Sequence, residues 1–204
     1  DGIHLYSSNN NTLQHIISNY NNDGIHISSS SFNTLQNITL QENSNEDFYI
    51  SASSDSECNN LLQNITGSGG RPIEYYNYSV NLQDKILSEL ILCNADNSTL
   101  TNITIIGSPT KKNNMLSLLR TENTTLSQIN SSYNLGIDLY SSNNNTLRNI
   151  ISNNNNYGIY LSSSSSNTLQ NITSNYNDFD GIHLYSSNNN TLQHIISNYN
   201  NDGI

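Results

Sequence analysis

One pattern constrains this chain more than any other: a leucine followed three residues later by an isoleucine. It occurs at Leu13/Ile16, Leu35/Ile38, Leu62/Ile65, Leu100/Ile103, Leu126/Ile129, Leu147/Ile150, Leu169/Ile172 and Leu192/Ile195. Successive leucines stand 22, 27, 38, 26, 21, 22 and 23 residues apart, so the 204 residues hold eight visible units. Ten and eight residues before the leucine lies a second aliphatic pair: Ile3/Leu5, Ile25/Ile27, Leu90/Leu92, Leu116/Leu118, Ile137/Leu139, Ile159/Leu161 and Ile182/Leu184. In the third unit the pair reads as Ile50/Ala52, displaced by two residues. A disordered tract has no reason to keep such a register; repeats of this period mark a solenoid.

Each pair flanks an outward residue, as in I-H-L, I-D-L and I-Y-L, the period of two expected from a strand with one buried face. Only Leu82–Leu92 departs from this and reads as a short helix lying against the rod. Each unit is therefore two or three short strands joined by Ser, Asn and Gly bends. Four buried aliphatics cannot offset the backbone entropy lost by ordering one unit alone. Stacked in parallel, each unit completes its neighbour's hydrogen bonds and core. The predicted fold is all-β: a right-handed parallel β-helix of about eight coils, about 22 residues per regular coil, forming a single domain over 1–204.

That fold explains a composition of 41 Asn and 48 Ser plus Thr. Equivalent side chains in a parallel stack lie about 4.8 Å apart, so a repeated charge becomes a repelling column. A neutral amide instead donates to one coil and accepts from the next, and Asn tolerates left-handed bends. Asn11, Asn33, Asn60, Asn145, Asn167 and Asn190 form one such column, beside one of Thr12, Thr34, Thr99, Thr125, Thr146, Thr168 and Thr191. The net charge of −10, from 6 Lys plus Arg against 16 Asp plus Glu, excludes a nucleic-acid partner, which needs a basic surface. No apolar run approaches the length of a membrane span.

Coil length varies almost only in three excursions, at 39–49, 66–89 and 104–115. They gather most of the cations, and Arg71, Tyr75, Tyr76, Tyr78, Lys111 and Lys112 are candidates for binding a glycan or another partner. A carboxylate pair for glycoside cleavage must span about 5–9.5 Å. Glu42, Glu46, Asp47, Asp55 and Glu57 cluster near the first excursion, with Glu74 or Lys85 placed to reach over it; no catalytic residue is assigned. His4 and His26 stack one coil apart with Asp23 nearby, a weak metal-binding candidate, and no cofactor is expected. Cys58 and Cys93 sit on neighbouring coils as either a disulfide or two thiols; a bridge would imply an oxidising exterior. The eleven N-x-S/T sequons are what this composition produces by chance, with Asn77 the best-placed glycosylation candidate.

Residues 1–25 recur without change as 180–204, which points to tandem duplication with a 179-residue higher repeat and to a longer array. Further copies end to end, or further coils of the same chain, are the expected partners. The string GI-x-L-x-SSNNNTL-x-NI-x-SNNNN-x-GI beginning at Gly136 resembles the β-helix repeats of NosD-type proteins and of carbohydrate-binding and sugar-hydrolase domains. It looks most like the Asn/Ser-rich versions in surface proteins of methanogenic archaea. The pectin-cleaving branch carries N-T-D, D-D, G-H-G and R-I-K, all absent here, and one Met argues against a copper role. The duplicated coil and the absence of those motifs lead to the expectation of a non-enzymatic structural segment of an extracellular or cell-surface rod that extends, assembles or adheres. The alternative is a polysaccharide-binding or polysaccharide-cleaving β-helix acting through 39–49 and 66–89.

Overall fold

The computed structural model describes residues 1–204 and is a right-handed parallel β-helix of about nine coils. The leucine strands are β2 (Thr12–Ile17), β4 (Thr34–Thr39), β6 (Leu61–Thr66), β8 (Asn81–Leu87), β10 (Thr99–Ile106), β12 (Thr125–Ser132), β14 (Thr146–Asn153), β16 (Thr168–Thr173) and β18 (Thr191–Ile196). The paired-aliphatic strands are β1 (Ile3–Tyr6), β3 (Ile25–Ser28), β5 (Phe48–Ser51), β9 (Glu89–Cys93), β11 (Met115–Leu119), β13 (Gly136–Tyr140), β15 (Ile159–Ser162) and β17 (Ile182–Tyr185). One further strand, β7 (Pro72–Tyr76), lies inside the second excursion. Parallel pairing keeps leucine over leucine and isoleucine over isoleucine, as in Leu126↔Leu147↔Leu169↔Leu192 and Ile129↔Ile150↔Ile172↔Ile195.

Two expectations need correction. Leu82–Leu92 is not a helix: it forms β8 and β9, and Leu82 heads a ninth coil. That coil was hidden because Lys85 stands opposite Ile103, where every other coil has isoleucine. After Glu89 the run LILC reads as continuously apolar because β9 is buried on both faces, as strands inside parallel sheets are. In the third unit the pair is Phe48/Ile50 rather than Ile50/Ala52: these stack on Ile25 and Ile27, with phenylalanine in the aliphatic position, and the residues added before Leu62 include the short turn Asp55–Cys58.

A spacing of three should place leucine and isoleucine on opposite faces of a strand. Both point inward because the residue just before the isoleucine, or before Lys85 in the coil where it takes that place, adopts a left-handed backbone in every coil. These are His15 (φ 55°), Asn37 (55°), Asn64 (54°), Asp84 (56°), Asn102 (53°), Gln128 (56°), Asn149 (55°), Asn171 (55°) and His194 (53°). Asn fills five of the nine places, consistent with its tolerance of that region.

The corners are polar and buried. Asn33, Asn145 and Asn167 are almost wholly enclosed. The Thr124 N–H donates to Asn145 Oδ1 at 2.8 Å, and the Asn145 N–H donates to Asn167 Oδ1 at 2.8 Å. The Asn145 and Asn167 side-chain amides donate in turn to the carbonyls of Thr121 and Ser142. A second column runs through Asn134, Asn155, Asn177 and Asn200. The amides thus satisfy main-chain groups that the strands leave unpaired at the bends.

The regular spacing suggests one uninterrupted stack, but the coils are divided between two cores on opposite faces of one sheet. The nine-stranded sheet has the order β17-β15-β13-β11-β9-β7-β6-β4-β2, flanked by β1-β3-β5 and by β18-β16-β14-β12-β10-β8. Every neighbouring pair is parallel except β6 and β7, which are antiparallel through Ile65↔Ile73 and Thr66↔Pro72. Leu35, Ile38 and Ile65 face the first core, together with Ile73, Tyr75, Ile91 and Cys93; Leu90 and Leu92 face the second. Reversing strand direction while moving the axis to the other face preserves both handedness and the direction of advance. The hairpin that does this needs Gly69 (φ 70°) and Gly70 (φ 71°), and a Cβ on Gly69 would strike the Arg71 guanidinium.

The three excursions clamp this junction. The fully buried Asp47 carboxylate accepts from the side-chain amides of Asn43 and Asn113 at Oδ1, and from Asn114 and the Ser68 N–H at Oδ2. Arg71 donates to the carbonyls of Ile106 and Gly107, while Ser108 and Thr110 donate to Glu42. The Cys58–Cys93 disulfide joins the first stack to β9, and closing that loop stabilises by about 4 kcal/mol on the chain-entropy account.

Two outcomes follow, both measurable by urea unfolding. Asn149→Val forces a β-branched residue into the left-handed region and should cost about 1–2 kcal/mol, whereas Asn149→Gly should stay within about 1 kcal/mol. Asp47→Asn turns an amino group on donors that need an acceptor and should cost about 3 kcal/mol.

Candidate functional site

Where the first stack meets the outer face of the second, the step between them leaves a groove of about 380 Å³. One wall is β5, an edge strand of its sheet, with Glu46 in the bend before it. The floor comes from outward positions of the nine-stranded sheet: Glu89 and Ile91 on β9, Ser117 and Leu119 on β11, Asp138 and Tyr140 on β13, and Tyr160 on β15. Tyr49 and Tyr157 complete an aromatic rim, with the Tyr157 and Tyr160 ring centroids 5.5 Å apart.

Three carboxyls enter this largely apolar space. Glu46 Oε2, Glu89 Oε2 and Asp138 Oδ1 are sealed from solvent and have no hydrogen-bond partner. Glu89 is 1% exposed. Burial pushes its pKa well above the carboxylate range, Glu46 and Asp47 push it further, and the Phe48 amide pulls the other way. Burial, then Asp23 and Asp138, raises Glu46 in the same sense. Burial alone lifts Asp138 to about 7. No basic residue lines the groove. Lys112 stands at an adjoining hollow with Asp23, His26 and Glu46, but it pairs with Asp178 at 2.7 Å and donates to the Asn155 carbonyl. A few polar groups amid apolar surface are an arrangement that can hold a ligand.

The candidates from sequence are scattered. Arg71 is a staple between excursions. Tyr75 and Tyr76 lie on opposite faces of β7: the buried Tyr75 hydroxyl donates to the Cys58 carbonyl, and Tyr76 packs toward the second core and donates to Glu74. Tyr78 is exposed and meets Tyr76 edge to face. The Lys111 N–H donates to Ser108. Lys85 pairs with Glu74 at 2.7 Å, away from the groove. Asn77 is half-buried, with its amide 3.5 Å from Asn59 Oδ1. Cys58 and Cys93 are bridged.

His4 and His26 do stack, with centroids 4.2 Å apart and planes 15° off parallel, and Asp1 rather than Asp23 lies against both. Ligand atoms of Asp1, His4 and His26 fall within 4.8 Å of one another. Burial, then His4, lowers the His26 pKa.

The groove itself was not found from sequence. Of its carboxyls only Glu46 is a candidate from the sequence; Glu89 falls in the stretch of helical periodicity, and Asp138 reads as an ordinary outward strand residue. The missing signal was the change of core face at β6–β7, which turns an outer face into a pocket floor.

Residues 89–204, more than half of the chain, match the family model described as a right-handed beta helix region. The chain belongs to that family. No curated protein and no solved structure matches it. No helix in it is long and apolar enough to cross a membrane.

Asp138 sets a pH dependence. Its folded pKa lies above its ordinary value of 3.8, so the folded state holds the proton more tightly, and the stabilisation present below about pH 4 is lost as pH rises through about 7. Melting temperature should therefore fall between pH 4 and pH 7.5, and Asp138→Asn should flatten that fall in a scanning calorimeter.

Proposed function

We propose that the chain is a non-enzymatic structural segment of an extracellular or cell-surface rod, extended by adding coils. The observation that carries this is the behaviour of the duplicated 25 residues. Residues 1–25 and 180–204 form the same coil, with left-handed residues at matching places: Ser7/Ser186, Asn10/Asn189, His15/His194 and Tyr20/Tyr199. Yet the first copy stacks through one surface, Ile3↔Ile25 and Leu13↔Leu35, and the second through the other, Ile159↔Ile182 and Leu169↔Leu192. One coil sequence able to take a neighbour on either side is what an extendable rod requires.

Several features agree with this reading. The disulfide suits an oxidising exterior. The neutral amide wall suits long stacks, because it avoids columns of like charge. The resemblance of the repeat to Asn/Ser-rich archaeal surface proteins and NosD-type repeats points to the same setting. A second reading, saccharide binding or cleavage, is favoured by Glu46 and Asp138 beside the tyrosines of the groove.

Electron microscopy and fibre diffraction of the concentrated protein test the rod. The expected result is filaments with a meridional reflection near 4.8 Å. Discrete particles at every concentration, together with reducing-sugar release that Glu46→Gln abolishes, would replace the rod by the second reading.

A further inference from the structure

The groove contains three carboxyls, four tyrosines and no basic side chain. Glu89 carries most weight, because it is almost wholly enclosed and its Oε2 has neither solvent nor a donor. An ionised carboxylate in such a place needs a cationic donor brought from outside.

The spacing decides what kind. The carboxyls do not make a chelating set: in this chain the His/Cys/Asp/Glu ligand atoms that gather within 4.8 Å of one another are those of Asp1, His4 and His26, elsewhere. Glu89 and Asp138 lie two strands apart and two residues offset, or about 12 Å between Cα atoms. One metal ion cannot bridge that; a flexible molecule with separated positive charges can. Tyr49, Tyr140, Tyr157 and Tyr160 line the same space, and aromatic rings attract ammonium groups. Neutral sugar hydroxyls would serve the carboxyls less well, since charge-assisted hydrogen bonds are roughly twice as strong as neutral ones.

We propose that the groove binds an aliphatic di- or polyamine, its ammonium groups paired with Glu89, Glu46 and Asp138 and its methylene stem lying on Ile91, Met115 and Leu119. The site is independent of the rod reading, and either can fail without the other. The ionisable groups around it are Asp47 behind Glu89, Asp23, His26 and Lys112 at the adjoining hollow, and Tyr49 and Tyr140 on the walls. Ammonium groups favour the ionised carboxylates, so binding strengthens with rising pH and releases protons.

Isothermal titration of the disulfide-bonded protein tests this, with spermidine and 1,4-diaminobutane in about 0.3 M salt, where exposed charges are screened. Spermidine should bind at pH 8 and at least tenfold more weakly at pH 5. Glu89→Gln and Asp138→Asn should each weaken it at least tenfold, while Asp84→Asn, exposed on β8 away from the groove, should not. Asp138 is less enclosed than Glu89, so its variant keeps the test alive if Glu89→Gln does not fold. A peptide carrying two lysines that outcompetes spermidine supports the same site with a protein-borne amine as occupant. Absence of spermidine binding at pH 8, binding that Asp138→Asn leaves unchanged, or displacement of spermidine by calcium ions or a neutral oligosaccharide would overturn the proposal.

Discussion

The structure turns on the antiparallel pairing of β6 with β7. All other strand pairs are parallel, and a parallel stack left to itself would run on in one direction around one core. By reversing the strand once, the hairpin at Gly67–Arg71 lets the same sheet serve two cores, one on each face. The first stack is then closed at its end by the outer face of the second, through Ile91, Cys93 and Leu119. The disulfide, the Asp47 clamp and the groove all sit at this step. Excursions that look like decorations in the sequence are the parts that hold it.

Away from the junction the fold is maintained by a division of labour between apolar and amide side chains. Leucines and isoleucines fill the tube, while buried Asn and Ser complete the main-chain hydrogen bonds at the corners. Each unmet buried group would cost as much as a lost methylene or more, so these polar residues are as fixed by the structure as the aliphatics. The same residue type also supplies most of the left-handed bends that turn the isoleucine inward. Asparagine abundance thus has two separate physical causes, hydrogen bonding and backbone tolerance.

Much of this was legible from residues alone. The Leu-x-x-Ile register, the paired aliphatics and the neutral columns led to the parallel β-helix, because stacking repeats the same inward position in every coil. What stayed hidden depended on contacts between distant residues. Lys85 masked a coil by taking an isoleucine position, and Phe48 masked a pair by taking an aliphatic one. Nothing local in Glu89 or Asp138 announces burial, since each faces outward from its own coil and is covered only by the other stack. Tyr75 and Tyr76, adjacent in sequence and read together as one surface, are parted by the alternation of the strand that carries them.

Nuclear Overhauser measurements on the methyl-labelled protein probe the change of core face most directly. The account predicts strong contacts between Ile65 and Ile73 across the antiparallel pair, and between the Ile91 methyls and Tyr75 within the first core. Contacts from Ile65 to Leu90 in a continuous parallel stack, with the Ile91 methyls facing water, would contradict it.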